Sequence, residues 1–290
     1  MGLRLKFNLV LLAVFAIGLG VTGYVSYELL HRNAREEVLR NAGVMMEAAL
    51  SMRGYTVGHV RPNLLVDPDK FLPESVPAFG ATEIMNLLRK KYPDYAYKEA
   101  ALNPTNPRDR AVEWEADIVN AFRANPSHAE ISGMRDTPTG RSLYLARPFQ
   151  IKDPACLACH TNAEMAPAAM VKIYGPNNGF GWQLNEVIGA QIVSVPMDLP
   201  IRNANHAFVT FMTSLTAVFA VLFVILNIML GAMIVQPITQ LSRVADQISK
   251  GRMDAAEFPA KGRDEVSQLG HAFNRMRRSL QKAIALIDKG

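Results

Sequence analysis

Val187-Ile188-Gly189-Ala190-Gln191-Ile192-Val193-Ser194-Val195-Pro196-Met197 is the stretch from which the architecture unfolds. It alternates, it is rich in isoleucine and valine, and Pro200 punctuates its end, so it reads as the last strand of a sheet. Ten residues later the composition changes. From Ala207 to Met233, and on to Gln240, there is no charged side chain. A run of that length crosses roughly 30 Å of hydrocarbon as a helix, whereas buried helices of soluble cores seldom stay uncharged so long. Phe7 to Tyr27 is a second charge-free run. A mixed domain therefore lies between two membrane helices.

Orientation follows from the flanks. Arg4 and Lys6 precede the first run, and Arg243, Lys250, Arg252, Arg275, Arg277 and Arg278 follow the second. Basic flanks stay in the cytoplasm. No small-residue cleavage site precedes the charged His31–Arg40 stretch, so the first run reads as an uncleaved anchor. The expected organisation is a cytoplasmic N-terminus over 1–6, a first span over 7–30, an extracytoplasmic domain over 31–206, a second span over 207–235 and a cytoplasmic segment over 236–290. In a Gram-negative cell this is a two-pass inner-membrane protein with its domain in the periplasm. The net charge of +5, from 31 basic and 26 acidic residues, belongs to this topology and gives no sign of nucleic-acid binding.

Within 31–206 the chain alternates helices and strands. Val38, Ala42, Met45, Ala49, Met52, Thr56 and His59 recur at three- and four-residue steps, one stripe of a helix that Pro62 is expected to end. A helix is expected over Pro77–Lys91 and a strand over Tyr95–Leu102. Asn106 is placed to cap a helix that begins with Pro107 and runs to about Arg123. Strands are expected over Ala129–Met134 and Ser142–Phe149 around a Pro138-Thr139-Gly140 turn, and a further turn over Asn177–Trp182. The fold class is α+β.

The chain's only two cysteines stand in Cys156-Leu157-Ala158-Cys159-His160. This is the attachment pattern of one covalent c-type haem: two thiols form thioethers with the vinyl groups, and the histidine is the proximal iron ligand. A zinc site needs four ligands and no second cysteine cluster exists, while a disulfide leaves His160 without a role. Covalent haem is added after export, in agreement with the topology read from the charges.

The sixth iron position asks for sulfur or imidazole. Met45, Met52 and His59 share one helical stripe; Met52 is the first candidate and His59 the alternative, with His128 an outsider. Each has a plainer reading, core packing for a methionine and hydrogen bonding for a histidine. Arg147, Arg141 and Lys172 are candidate partners of haem propionates, or solvent-facing charges, and Tyr144 and Trp182 candidate wall residues. Glu113 and Glu115 read as solvated helix faces. No Ser-His-Asp set, phosphate loop or supported acid/base pair is present, so the chain is not expected to be an enzyme.

After the second span, Pro237 precedes Ile238, Leu241, Ala245 and Ile248 at heptad positions, and Gly251 ends that run. A connector over Arg252–Gly262 carries Met253 and Phe258. Val266, Leu269, Phe273, Met276, Leu280, Ala283 and Ile287 continue the heptads. Two short heptad helices bury such stripes against a second copy, so a parallel four-helix bundle and a homodimer are expected.

With Pro237, the two heptad runs and Asp264-Glu265-Val266, this segment resembles the HAMP linker of bacterial transmembrane receptors. Residues 40–198 resemble a family of periplasmic c-haem domains with a PAS-like fold. The residues that carry this resemblance are Arg53-Gly54-Tyr55-Thr56, Val60-Arg61-Pro62, Lys98 to Pro107, the Cys156–His160 box and Gly189 to Met197. The resemblance implies a haem-based redox or gas sensor signalling through the HAMP helices. Some relatives take a distal cysteine from the long helix, and this chain has no third cysteine. No kinase, cyclase or methyl-accepting domain is read before Gly290, so a separate cytoplasmic output protein is expected. The alternative is a membrane-anchored monohaem electron carrier with a periplasmic redox partner.

Overall fold

The computed structural model describes residues 2–64, 71–138, 140–252, 256–260 and 262–287. Thr139, Met253 and the side chain of Ile287 lie outside the described part. The chain divides into two compact units, Glu28–Ala207 and Met1–Tyr27 with Phe208–Gly290.

The larger unit is built on one antiparallel sheet in the order β1-β4-β3-β2, with β1 Ala96–Ala101, β2 Ile131–Thr137, β3 Gly140–Gln150 and β4 Val187–Pro196. All four strands lie where sequence patterning placed them, within a few residues. β4 pairs with both β1 and β3 and is buried on both faces along most of its length. Its alternation is therefore not an in-out pattern but the choice of which layer each side chain meets.

On one face, Val193 and Val195 of β4 join Tyr97, Leu143 and Leu145 beneath the long helix α1 (Leu3–Tyr55) and α3 (Pro77–Arg89). α1 inserts Val38, Ala42, Met46 and Ala49, all with no exposed surface. The expected stripe holds at Val38, Ala42 and Ala49, with Met46 rather than Met45 the fully covered methionine and Met45 partly buried beside it; it fails at its end, where Thr56 is buried but His59 is exposed. On the other face Ala100, Ala146, Ala190 and Ile192 meet Ile118, Val119 and Phe122 of α4 (Glu113–Ala124).

Three local expectations change. Pro62 does not end the first helix. A π turn over Thr56–Val60, closed by the Arg61 N–H on the Thr56 carbonyl, leads into a last helical turn, α2 (Arg61–Leu64), with Pro62 inside it. The wide turn re-phases the hydrogen-bond ladder just before the residue that lacks a donor. Asn106 caps only a 3₁₀ turn over Pro107–Asp109, its side chain accepting from Arg108 N–H. The chain then returns to β1, where Ala111 N–H donates to the Ala101 carbonyl at 2.9 Å, and α4 starts afresh. Glu115 is not a solvated side chain: it is buried, accepts from Val112 N–H at 2.9 Å and pairs with Lys98 at 2.6 Å.

In the second unit, α1 and α7 (Asp198–Leu230) carry the two apolar runs, long and apolar enough to cross a membrane and scarcely covered by the rest of the chain. Phe15 stacks on Phe219 at 4.7 Å, and Gly23 lies against Met212. After a π turn (Gly231–Val235), α8 (Gln236–Ser249) has Pro237 in its first turn. Gly251, at φ +85°, ends α8 as expected, with its own N–H on Ile248 and that of Arg252 on Gln247.

α9 (Glu265–Ile287) is capped by Asp264, which accepts from Ser267 N–H at 2.7 Å. That bond holds the Asp264 carboxyl below the usual carboxylate range. The connector docks through Phe258, buried against Gly270 and held by both its backbone groups to the Asn274 amide, at 3.1 and 2.8 Å.

Gly189 of β4 tests the sheet. A Cβ there would press on the Ala100 carbonyl and lie 3.1 Å from Ala101 Cα, both backbone atoms of the paired strand. Gly189→Ala should lower stability by about 1–3 kcal/mol through overpacking, read as a lower midpoint of thermal unfolding by far-UV circular dichroism. An unchanged midpoint would mean that β1 and β4 are not paired in this register.

Candidate functional site

The face of β1 and β4 that meets α1 loses side-chain bulk along its length. Cross-strand partners step from Tyr97 and Val193, through Glu99 and Gln191, to Ala101 and Gly189. Where the side chains shrink, a cavity of about 750 Å³ opens. That volume is within the range of sites for sizeable organic ligands. Its walls are the end of α1 with the π turn (Arg53, Gly54, Val57, Arg61), the 75–79 segment, the 104–109 turn, the end of β3, the cysteine box, and the segment after it.

The box itself is a 3₁₀ turn, Pro154–Cys156, running into one helical turn, α5 (Leu157–His160). Asp153 caps it, accepting from Ala155 N–H at 2.8 Å. Cys156, Cys159 and His160 all line the cavity, and both cysteines are free. Burial pushes both thiols up, with Asp153 adding to the effect at Cys156. Uncrosslinked thiols three residues apart on one wall are what two thioether bonds require. Among the described residues no cluster of three or more His, Cys, Asp and Glu side chains forms a metal site.

His160 is held more firmly than sequence could suggest. Its Nδ1 lies 2.7 Å from the Gly179 carbonyl, and its ring stacks on Trp182 at 3.9 Å. Burial lowers its pKa, so the imidazole is neutral at neutral pH, with the proton on Nδ1 donated to that carbonyl. Nε2 keeps its lone pair. A ligating histidine is typically fixed by an acceptor of this kind on its other ring nitrogen.

The carbonyl is positioned in turn. Asn103 Oδ1 accepts from Gly179 N–H, and Asn103 Nδ2 donates to the Phe180 carbonyl, both at 3.1 Å. Gly179 has φ +80°, and a Cβ there would run into Thr105. The Asn103–Pro107 and Asn177–Trp182 turns thus serve one purpose, the aim of His160. Trp182 is a wall residue as expected; Tyr144 is not, and packs on Trp114 instead.

Among the described residues, the cations of the cavity are Arg53, Arg61, Arg108 and Lys152. Arg147 is engaged by Glu47 and Glu130, Arg141 pairs with Asp136, and neither they nor Lys172 line the cavity. Arg53 pairs with buried Glu99, which also accepts from Tyr97 Oη at 2.7 Å. Arg61 and Lys152 have no carboxylate partner among the described residues, which suits them to two propionates. Cavity size, free thiols, a histidine with Nε2 available and spare cations together fit a haem.

The candidates for the sixth position sit elsewhere. Met52 lies against Gly80 of α3, its Cε 3.2 Å from where a Cβ would stand. His59 is exposed beside Tyr55, and His128 is exposed in a loop. None of these, nor Met45, is part of the cavity wall; the methionines that are part of it are Met165 and Met170. Sequence reading passed over both because they follow the box, outside the stripe of the long helix. The helix after the box, α6 (Ala168–Tyr174), was not foreseen either.

Asp109, on the cavity wall, has its carboxyl pushed up to about 6 by burial, with Arg108 opposing and Glu99 adding to the rise. The folded protein thus holds a proton that the unfolded chain releases near the usual value. Stability should fall by on the order of 3 kcal/mol as pH rises from about 4 to about 6, and Asp109→Asn should lack this component. The difference between the two thermal-denaturation profiles against pH isolates it; parallel profiles would show that Asp109 titrates normally.

Comparison with known proteins agrees with this division of the chain. Residues 31–196 match the Tll0287-like family, and residues 229–282 match the HAMP domain. Among solved structures, the crystal structure of the cyanobacterial haem protein Tll0287 is similar at 18% identity and a TM-score of 0.44, over 55% of this chain and 95% of that one. No curated protein matches. The chain belongs to the Tll0287-like family, its sensor domain followed by a HAMP domain.

Proposed function

We propose that this chain is a two-pass inner-membrane receptor whose periplasmic, PAS-like domain carries one covalent c-type haem and signals through its HAMP helices to a cytoplasmic output partner. The observation that carries the reading is the shared wall of Cys156, Cys159 and His160, with Nδ1 of His160 committed to a backbone carbonyl. The match to a family named for a haem protein supports the cofactor, and the HAMP match supports signalling. The basic residues before the first apolar run and after the second support the topology.

When bound, haem supplies an iron that changes charge on reduction and can take a sixth ligand. The chain's own part is to hold and to report. Asn103 and Gly179 aim His160, and Arg61 and Lys152 are assigned to the propionates. The reporting element is the end of α1. Arg53 and Gly54 line the cavity on the same unbroken helix that contains the first apolar run, and Val57 lines it from the π turn. Single π turns inside helices recur at functional sites. A change in the cavity that moves this turn moves α1. The stimulus is the redox state of the iron or a diatomic gas at its sixth position.

On the cytoplasmic side Leu269, Met276 and Leu280 are exposed apolar residues on one helix. They are assigned to the dimer seam of the bundle.

Spectra decide the sensing mode. The purified full chain should show a covalent haem by the pyridine haemochrome assay, lost on replacing both Cys156 and Cys159 with alanine; retained covalent haem would refute the attachment. CO or NO binding to the reduced protein supports gas sensing, and a six-coordinate iron indifferent to both supports redox sensing. Met52→Ala and His59→Ala should leave the spectra unchanged, whereas a sulfur ligand would be revealed by Met165→Ala or Met170→Ala.

Dimerisation is tested separately. Leu269→Glu with Met276→Glu should convert a dimer to a monomer in cross-linking and light scattering of the detergent-solubilised protein. A dimer that survives both substitutions would sink the four-helix bundle.

A further inference from the structure

A second, smaller cavity of about 340 Å³ lies in the same unit, at the free edge of β1 between α3 and α4. Four cations line it: Arg89, Lys98, Arg108 and Arg135. Two are neutralised locally, Lys98 by Glu115 at 2.6 Å and Arg108 by Glu83 at 2.6 Å. Arg89 and Arg135 have no carboxylate partner among the described residues. Arg135 does not simply extend into water: its guanidinium carbon stands over Trp114, 4.0 Å from the ring centroid, a contact that engages the aromatic face and uses none of the N–H donors.

The rest of the wall is suited to a small molecule with a carbon body. Ala96 and Ile192 form an apolar floor, and Thr82, Asn86 and Ser194 offer hydroxyl and amide groups beside it. Two guanidiniums on the wall of one cleft, neither with a carboxylate partner among the described residues, suit it to an oxyanion. The apolar floor, and the acidic side chains of Asp109 and Glu115 on the same wall, favour a carboxylate over the more highly charged phosphate. The volume, near the lower end of the range for ligand sites, limits the molecule to a few carbons.

We propose that this cleft is a binding site for a small organic carboxylate, gripped by Arg89 and Arg135. The site stands independently of the haem reading, although Arg108 and Asp109 line both cavities, so that an occupant lies one side chain from the larger one.

Isothermal titration of the full haem-loaded chain in detergent micelles, at constant ionic strength, tests it with three probes: succinate, acetate and inorganic phosphate. Saturable binding of succinate or acetate is expected, one per chain, weakened about tenfold or more by Arg135→Gln and by Arg89→Gln, the loss that follows from deleting one charge-assisted contact. Arg141→Gln, whose parent side chain is paired with Asp136 outside the cleft, should bind as wild type. Arg89 is an exposed residue of α3, so its replacement leaves the fold intact, and an unchanged far-UV spectrum verifies this for both variants. No saturable heat with either carboxylate, binding of phosphate alone, or binding untouched by both arginine substitutions would overturn the proposal.

Discussion

The burial of β4 on both faces is the constraint on which the larger unit depends. An antiparallel sheet can leave one face to solvent. Here Val193 and Val195 point to one side and Ala190 and Ile192 to the other, and none is exposed. Both sides must be covered, by α1 and α3 on one and by α4 on the other. The site is a consequence of how that packing ends. Toward Gly189 the covered face offers progressively less side chain, while α1 runs on above it. Close packing cannot be maintained between a helix and a strand whose side chains have shrunk to alanine and glycine. The volume left over is the cavity, and the box closes it from the far side.

The charges at the cavity mouth follow from the same geometry. Glu99 occupies the step between the apolar rows and the cavity, and is only 3% exposed. An isolated carboxylate there would be costly, and breaking a buried pair costs more than the pair contributes. Arg53 and the Tyr97 hydroxyl satisfy it. Burial and the neighbouring Glu99 keep the Tyr97 hydroxyl protonated, so that it acts only as a donor. The pair ties the last turn of α1 to β1 at the place where the helix begins to line the cavity. Arg53 also lies over Phe149, 4.6 Å from its centroid, so one guanidinium joins α1, β1 and β3. Asp109, whose nearest cation, Arg108, is 3.8 Å away, instead has its carboxyl pushed up by burial to about 6.

Much of this was legible in the residue order. Four strands, the long helix, both apolar runs, the box, Gly251 as a helix stop and the heptad segment all rest on local patterns, and the structure has each of them. What could not be read depends on the phase of a helix or on contacts distant in sequence. Met52 and Arg53 are neighbours, yet successive helical residues point about 100° apart. One meets Gly80 of α3 and the other meets the cavity. The π turn then changes the phase before His59, so a stripe extrapolated at constant period drifts off its face. Proximity to the box in sequence misled likewise for cations: Arg147 is nine residues from Cys156 but is pulled to Glu47 and Glu130, while Arg53 and Arg61 arrive from a helix a hundred residues away.

The HAMP segment shows the complementary case, in which a correct pattern conceals a second one. Heptad positions single out Leu269, Met276 and Leu280, and all three are bare apolar residues of α9, as is Leu286 off the heptad. The same helix has another face, formed by Ser267, Gly270 and Asn274, none of which a hydrophobic period would select. Gly270 leaves room for the Phe258 ring, and Asn274 accepts from the Phe258 N–H and donates to its carbonyl, which the Ala260 N–H also reaches. One face of α9 is thus completed by its own chain through a phenylalanine and an amide. The other has apolar groups that the chain itself does not cover. Burying such a stripe is favourable in proportion to its area, and none of the other described residues covers it.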